Sequence, residues 1–484
     1  MASRVILLGV GGLSLDQLDP LIHRGWLPNL EYLMGRGVVG TLTSDLPPFA
    51  SAEWATLLTG EHPGVTGFAE GWRKTPGSYF PEEANLRSLA QRAPKSLLAM
   101  TGHETVLVGL PLPAVPGPRP PEDGIQVLHW QADRFSIRSL PLPVTGQDEN
   151  FVVIGDRGPK EILEGAIRGM VALSVSISRM LRERGPQMVA VHFAGLDRVF
   201  SRFYLDLTTA FLGRVGRGLE DLLRQFFRVF DDVIGMVLDF SRDSGDFIVL
   251  ASAHGYVPGR RVFNLNAFLL SRGYLRIREN NEGDNLIREV AAPVLRSMKI
   301  DRRRVKGILG KHGFSEVVDR AGSLLSSEIG HFEWNKTCAF SLTRTGIILN
   351  LREVEPSGTV APGPDTRILG EKIRRELLDL EDSATGKRPI HEVSWREDCY
   401  EGIGLPELPH LLVRKWDSEY LLDDWRNIEP SAPIFSDSTE RTGAPRSSGF
   451  YCFSGARIPN SLRSLRSQSI PEISKTIIEL IEND

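Results

Sequence analysis

The sequence predicts an α/β protein built on a doubly wound, mostly parallel sheet with helices on both faces. Three observations carry this expectation. Short apolar runs alternate along the chain with longer segments of helical periodicity, the signature of βα repeats. The short runs are continuous in Val, Ile and Leu, as strands covered on both faces are. The chain has 484 residues and is 41% hydrophobic and 24% charged, so it is long enough and apolar enough for one large core.

The first strand is expected at Val5–Leu8, leading at once into Gly9-Val10-Gly11-Gly12. Further strands follow at Val38–Leu42, Glu104–Leu110, Gln187–Phe193 and Asp246–Ala251, each rich in β-branched or large apolar residues. Helices are expected over Leu27–Met34, Lys160–Arg184, Leu219–Ser241 and Ile368–Leu380. Val215–Asp239 carries apolar residues at helical spacing with Arg, Glu and Asp between them, the pattern of an amphipathic surface helix. Pro111–Pro121 holds six prolines and reads as an extended loop. Asn280–Gly313 is charged, with Arg302-Arg303-Arg304 read as a solvated face. The organisation expected is one core formed by residues 1–279 and 321–484, with 280–320 a peripheral insertion or cap.

Composition excludes several classes. Lys and Arg number 57 against 61 Asp and Glu, a formal charge of −4, so neither nucleic acid nor an anionic membrane is implied as partner. No apolar run approaches the ~18 residues of a membrane span. The three cysteines, Cys338, Cys399 and Cys452, form no CxxC pair, and the first apolar run is too short for a signal-peptide core. Together these point to a reducing cytoplasm. Gly9-Val10-Gly11 after a strand invites a dinucleotide-binding reading. Ser14 stands where the third glycine is needed, and Pro20 and Pro28 are expected to interrupt the helix. With no P-loop, HExxH, GxSxG or metal-finger spacing either, no cofactor is expected.

Leu27-Pro28-Asn29-Leu30 and Gly35-Arg36-Gly37 are followed by Pro47-Pro48, Trp54-Ala55-Thr56, Thr59-Gly60 and Pro63-Gly64. Later come Gly109-Leu110-Pro111, Gly124-Ile125, Asp197-Arg198, Ser252-Ala253-His254-Gly255, Leu265-Asn266-Ala267 and Gly273-Tyr274-Leu275. Trp334-Asn335-Lys336-Thr337, Ile347–Leu351, Glu355–Val360, Thr385-Gly386 and Tyr400-Glu401-Gly402 continue the series. In this order the blocks resemble the type I phosphodiesterase and nucleotide pyrophosphatase branch of the alkaline phosphatase superfamily, from the first strand to about residue 460. The resemblance implies an alkaline-phosphatase-like fold with the site at the carboxyl ends of the strands. It also implies phosphoryl transfer in which two divalent ions clamp the attacking and leaving oxygens around a Thr or Ser nucleophile.

Carried over position by position, the resemblance leaves most of that machinery without its residues. The Asp of the first strand falls on Gly11 and the nucleophile on Ala50. The Asp of the "DRxxH" motif is kept as Asp197, but its His falls on Ser201. In "SDHG" the Asp falls on Ala253 while the His is kept as His254. The last His falls on Pro445. Five of the family's seven positions are thus vacated, and the two survivors would sit one in each metal site. A catalytic zinc needs about three protein ligands, so no metal is expected. Ser51 and Arg446 are candidates for ligand contact, and His62, His103, His192 and His410 for a rebuilt site, with Glu53 beside His62 and His192 as a fallback metal ligand.

These residues leave three readings. The first is a pseudoenzyme that binds a small polar metabolite or a protein partner. The second is a metal-independent transferase, lyase or cyclase using Asp197 and His254 as an acid/base pair, with His254 titrating near neutrality. The third is a phosphodiesterase with a rebuilt metal centre. Because Gly11, Ala50 and Ala253 are small, the floor of the old site is expected to be concave, rimmed by Asp197, Ser201, His254 and Arg446.

Overall fold

The first strand, Val5–Gly9, has every residue buried and lies at the middle of a nine-stranded sheet. The computed structural model describes residues 4–45, 47–70, 72–79, 81–100, 104–113, 124–131, 134–141, 158–182, 186–214, 216–278, 332–423, 428, 430–455, 458 and 466–482. Across the sheet the order is Ser467–Ser469, Val38–Thr43, Ser448–Ser454, Phe247–Ser252, Val5–Gly9, Met188–His192, Thr105–Val108, Gly124–Gln131 and Arg134–Pro141. Only Ser448–Ser454 and Gly124–Gln131 run against the common direction. The sheet is therefore mostly parallel, and the late strand Ser448–Ser454 inserts between Val38–Thr43 and Phe247–Ser252.

The two-residue period of a strand sends alternate side chains to opposite faces. Ile6, Leu8, Val189, Val191, Ile248 and Leu250 face one cluster, roofed by helices Pro159–Arg182, Ala194–Phe211 and Arg217–Ser244. Val5, Leu7, Met188, Ala190 and Val249 face the other, roofed by Ala50–Thr59, Leu86–Arg92 and Ile470–Glu482. Arg217–Ser244 shows why periodicity locates helices well: Leu223, Phe226, Phe227, Phe230, Val233, Ile234 and Val237 form its buried stripe.

The Leu27–Leu30 block acquires a physical role here. Pro28 opens the helix Pro28–Arg36, where its missing N–H is harmless. The next two backbone N–H groups, of Asn29 and Leu30, donate to the Asp231 carboxylate at 3.0 and 2.9 Å. Pro20 does not act as the break the sequence suggested: it lies inside the helix Leu15–His23. The hydrogen bond it forgoes is offset by burial of Leu18 and Leu21 on the same helix.

A further buried cluster gathers residues between Phe263 and Leu275 with others between Phe332 and Leu422. Its frame is a four-stranded antiparallel sheet ordered Ala339–Phe340, Gly346–Leu349, Leu411–Trp416, Ile390–Trp395. Buried polar groups tie it to the main body. The Glu70 carboxylate accepts from the backbone N–H groups of Arg344 and Thr345, both at 2.8 Å, and Lys74 pairs with Glu355. Segment 280–320, with Arg302–Arg304, lies outside the described residues, as does the proline-rich stretch beyond Pro113.

Candidate functional site

Three neighbouring strands, Val5–Gly9, Met188–His192 and Phe247–Ser252, end together, and the segments that follow them build the site. Beyond the first come Gly11 and Gly12. The helix Ala194–Phe211 begins just after the second and carries Asp197 in its first turn. Ala253 and His254 follow the third. The helix Ala50–Thr59 closes the site with Ala50 at its first position and Glu53 one turn on, on the same face.

His254 is the centre of the arrangement. Its Nδ1 lies 2.8 Å from each oxygen of Glu53, and its Nε2 lies 2.6 Å from Asp197 Oδ1. The Tyr256 hydroxyl donates to the same Asp197 oxygen at 3.2 Å. The His254 side chain is 1% exposed, Glu53 9% and Asp197 21%, so the trio is largely shielded from water. Burial by itself would push the imidazole down. The charges and hydrogen bonds of Glu53 and Asp197 outweigh it and hold His254 well above the usual histidine range. Titration near neutrality, expected from the sequence, does not apply to a ring clasped by two carboxylates. Burial raises Asp197, but the charge and hydrogen bond of His254 more than offset this and hold it below its ordinary value. Burial, then the Asp197 charge, push the Tyr256 phenol well up.

Beside the trio, Trp54 Nε1 donates to His192 Nδ1 at 3.0 Å. Burial pushes His192 down to about 4, with the charge of Asp197 opposing and that of His254 adding. A cavity of about 20 Å³ lies between these groups, lined by Gly11, Ala50, Glu53, Trp54, His192 and Ala253 together with apolar side chains. That is space for about one water. Gly11, Ala50 and Ala253, three of the positions where the resemblance expects a family residue, therefore converge on one hollow. Trp54, Leu42, Leu57 and Ile470 keep it narrow.

The remaining expected residues are spread more widely. Ser201 lies one turn beyond Asp197 on the same helix, and its carbonyl accepts from Thr442. Pro445 sits opposite Tyr256 in the ribbon formed by Gly255–Pro258 and Gly443–Arg446. Arg446 pairs with Asp16 and reaches Ser14 at 3.3 Å. Ser51 donates to the carbonyl of Glu70 at 3.3 Å, turned to a different partner from its neighbour Ala50. Of the four histidines expected for a rebuilt site, only His192 belongs to the site among the described residues. His62 caps the short helix Pro63–Thr66 and stacks on Tyr400, and His410 accepts from Leu349 N. His103 is outside the described residues. Glu53 was legible only as a fallback metal ligand. Its spacing of three from Ala50 on a helix is the signal that puts it on the site face.

Three observations bear on how the described residues could hold two divalent ions. A ligand must turn a lone pair toward the metal, and both ring nitrogens of His254 are directed at carboxylates. Gly11, Ala50 and Ala253 offer no side-chain donor. Among the described residues no three His, Cys, Asp or Glu side chains gather as an ion would require. Among them, too, no helix is long and apolar enough to cross a membrane.

No curated protein matches the chain. Among solved structures it is similar to phosphonoacetate hydrolase from Sinorhizobium meliloti in complex with phosphonoformate. That match has 12% identity and a TM-score of 0.43, covering 99% of this chain and 95% of the other. It is also similar to human ectonucleotide pyrophosphatase/phosphodiesterase 5, at 10% identity and TM-score 0.46 over the same shares. A variant of the alkaline phosphatase PafA matches at 11% identity and TM-score 0.47, covering 100% of this chain and 96% of that one. The family profile described as type I phosphodiesterase / nucleotide pyrophosphatase matches residues 5–332. That span runs through the first strand, Ala50, Asp197 and His254, and it covers well over half of the sequence. The chain belongs to the type I phosphodiesterase/nucleotide pyrophosphatase family.

Proposed function

We propose that this chain is a non-hydrolytic member of its family, a pseudoenzyme that binds a small polar ligand where its relatives' metal centre would stand. The observation that carries the reading is the double engagement of His254 by Glu53 and Asp197. A general acid or base needs a ring nitrogen that can reach substrate and a pKa near the working pH. His254 offers neither, so the trio reads as an internal ion cluster that keeps the old centre folded. The vacated nucleophile position, Ala50, lies over the same cavity with no hydroxyl to attack phosphorus. The reading of a metal-independent acid/base enzyme is correspondingly weaker, since it depends on a free imidazole.

The test is hydrolysis of bis-p-nitrophenyl phosphate and p-nitrophenyl phosphate by the full chain, with zinc or manganese added or chelated, alongside elemental analysis. The expected outcome is no release above the rate with heat-inactivated protein, and well under two ions per chain. Metal-dependent turnover that persists in Ser51→Ala would overturn the proposal. Turnover abolished by that substitution would instead identify a displaced nucleophile, and would equally overturn it.

A further inference from the structure

The helix Pro159–Arg182 buries Leu163, Met170, Leu173, Ile177 and Met180 in the core it shares with the sheet, and turns its opposite face to solvent. At about 3.6 residues per turn, Glu161, Glu164, Val171, Val175, Arg179 and Arg182 fall on one stripe of that face. Charge is segregated along the stripe. Glu161 and Glu164 lie at its start, and Arg179 and Arg182 lie in the last turn. Lys160, 3.8 Å from Glu164, leaves the acidic end net negative. Between the two ends stand Val171 and Val175, one turn apart and 42% and 62% exposed. The helix dipole accounts for acids at the start and bases at the end. It does not account for two valines left in water at the centre of the stripe.

We infer that this face joins a second copy of the chain, helix against antiparallel helix, across a two-fold axis that passes between Val171 and Ala172. Glu164 and Arg179 are equally far from that point along the helix, and so are Glu161 and Arg182. One axis therefore sets Glu164 opposite the partner subunit's Arg179 and Glu161 opposite the partner subunit's Arg182, once at each end of the contact. The valines meet at its centre. Arg168 falls opposite the partner subunit's Val175, where its aliphatic stem covers the methyl groups and its guanidinium reaches water. Within one chain Glu164 and Arg179 are about 22 Å apart along the axis, too far to pair, so their complementarity is used only between copies. A parallel arrangement would set Glu against Glu and Arg against Arg, and electrostatics excludes it. The stripe is narrow and its charges are exposed, so the dimer is weak, reversible and sensitive to salt. The pairing is independent of the ligand reading above.

The experiment is sedimentation equilibrium of the full chain over a range of concentrations. Wild type is expected to pass from the mass of one chain to that of two with a dissociation constant of roughly 1–100 µM, rising with added salt. Val175→Asp should raise that constant roughly tenfold or more. Glu164→Arg alone and Arg179→Glu alone each set like charges at both ends and should raise it by a similar factor. An equimolar mixture of these two variants restores opposite charges at both ends of a mixed dimer. The mixture should return the constant close to wild type, which no contact within one chain can do. All three side chains reach solvent, and circular dichroism checks that each variant is folded. Should Arg179→Glu fold poorly, Glu161→Arg mixed with Arg182→Glu makes the same test. A wild-type chain that stays single above about 100 µM, a dimer unmoved by Val175→Asp, or a mixture no better than its components would each overturn the inference.

Discussion

Replacing His254 with Ala removes the side chain that pairs with two largely buried carboxylates, Glu53 and Asp197. Breaking a buried ion pair by deleting one partner costs about 3–5 kcal/mol, because the charge left behind is unsolvated. Here two carboxylates are left behind, which places the expected loss toward the upper end of that range at neutral pH. Spread over a chain of this length, at ~2.1 cal/mol/K per residue, it lowers the unfolding midpoint by roughly 3–5 °C. Urea unfolding followed by circular dichroism measures the difference directly. The pH dependence fixes the cause. Asp197 is held below its ordinary value, so its contribution is present above the unfolded pKa and is lost as pH falls through the lower folded one. His254 is held well above its ordinary value, so its contribution is fully present below the unfolded pKa and is lost as pH rises through the folded one. The gap between wild type and His254→Ala is therefore largest between those limits and narrows on acidification, when the orphaned carboxylates protonate. Adding Glu53→Gln and Asp197→Asn to His254→Ala should recover part of the loss. A gap under about 1 kcal/mol at pH 7, or one that widens toward acid, would refute the ion-cluster account.

Gly9→Ala places a methyl group against the Trp54 ring, and such overpacking should destabilise by about 1–3 kcal/mol in thermal unfolding. Lys74→Met strands the Glu355 carboxylate, whose side chain is 2% exposed and whose second oxygen has no partner among the described residues. The expected loss is about 3–5 kcal/mol, while Lys74→Met with Glu355→Leu should return close to wild type. Asp231→Ala frees the first N–H groups of Pro28–Arg36, and a loss of about 2–3 kcal/mol in urea unfolding is expected.

What could be read from the sequence follows from the range of the forces involved. Five strands and four helices were legible because an apolar run or stripe records burial locally, and all nine appear within a few residues of their expected bounds. The family blocks located Gly11, Ala50, Asp197, Ala253 and His254, and the structure brings all five to one end of the sheet. The bond between Asp197 and His254 entered only as a condition of the acid/base reading, with no spacing to support it. It depends on how far two side chains reach across a gap, and a pattern that assigns each to its own metal says nothing of that. Glu53 was nearly invisible, since an acidic residue in the first turn of a helix is ordinary. Pro20 misled because propensity weighs one missing hydrogen bond and cannot see Leu18 and Leu21 anchored beneath it. The separate cluster around Phe263 and Phe340 left no signature, its strands being short and widely spaced along the chain.

The close approach of Gly11 to Asp197 limits what position 11 can carry. A Cβ at position 11 would stand 3.1 Å from Asp197 Oδ2 and 3.4 Å from His254 Cε1. A carboxylate introduced at position 11 would thus press a third negative group against the two carboxylates that flank His254. A carboxylate introduced at position 253, on the wall of the cavity that Gly11 and Glu53 also line, meets the same repulsion. Each such substitution made singly adds negative charge beside the trio with no new cation to offset it. As folded, the Glu53–His254–Asp197 cluster therefore sets the charge its own surroundings can hold, and small uncharged side chains at positions 11 and 253 are what that limit admits.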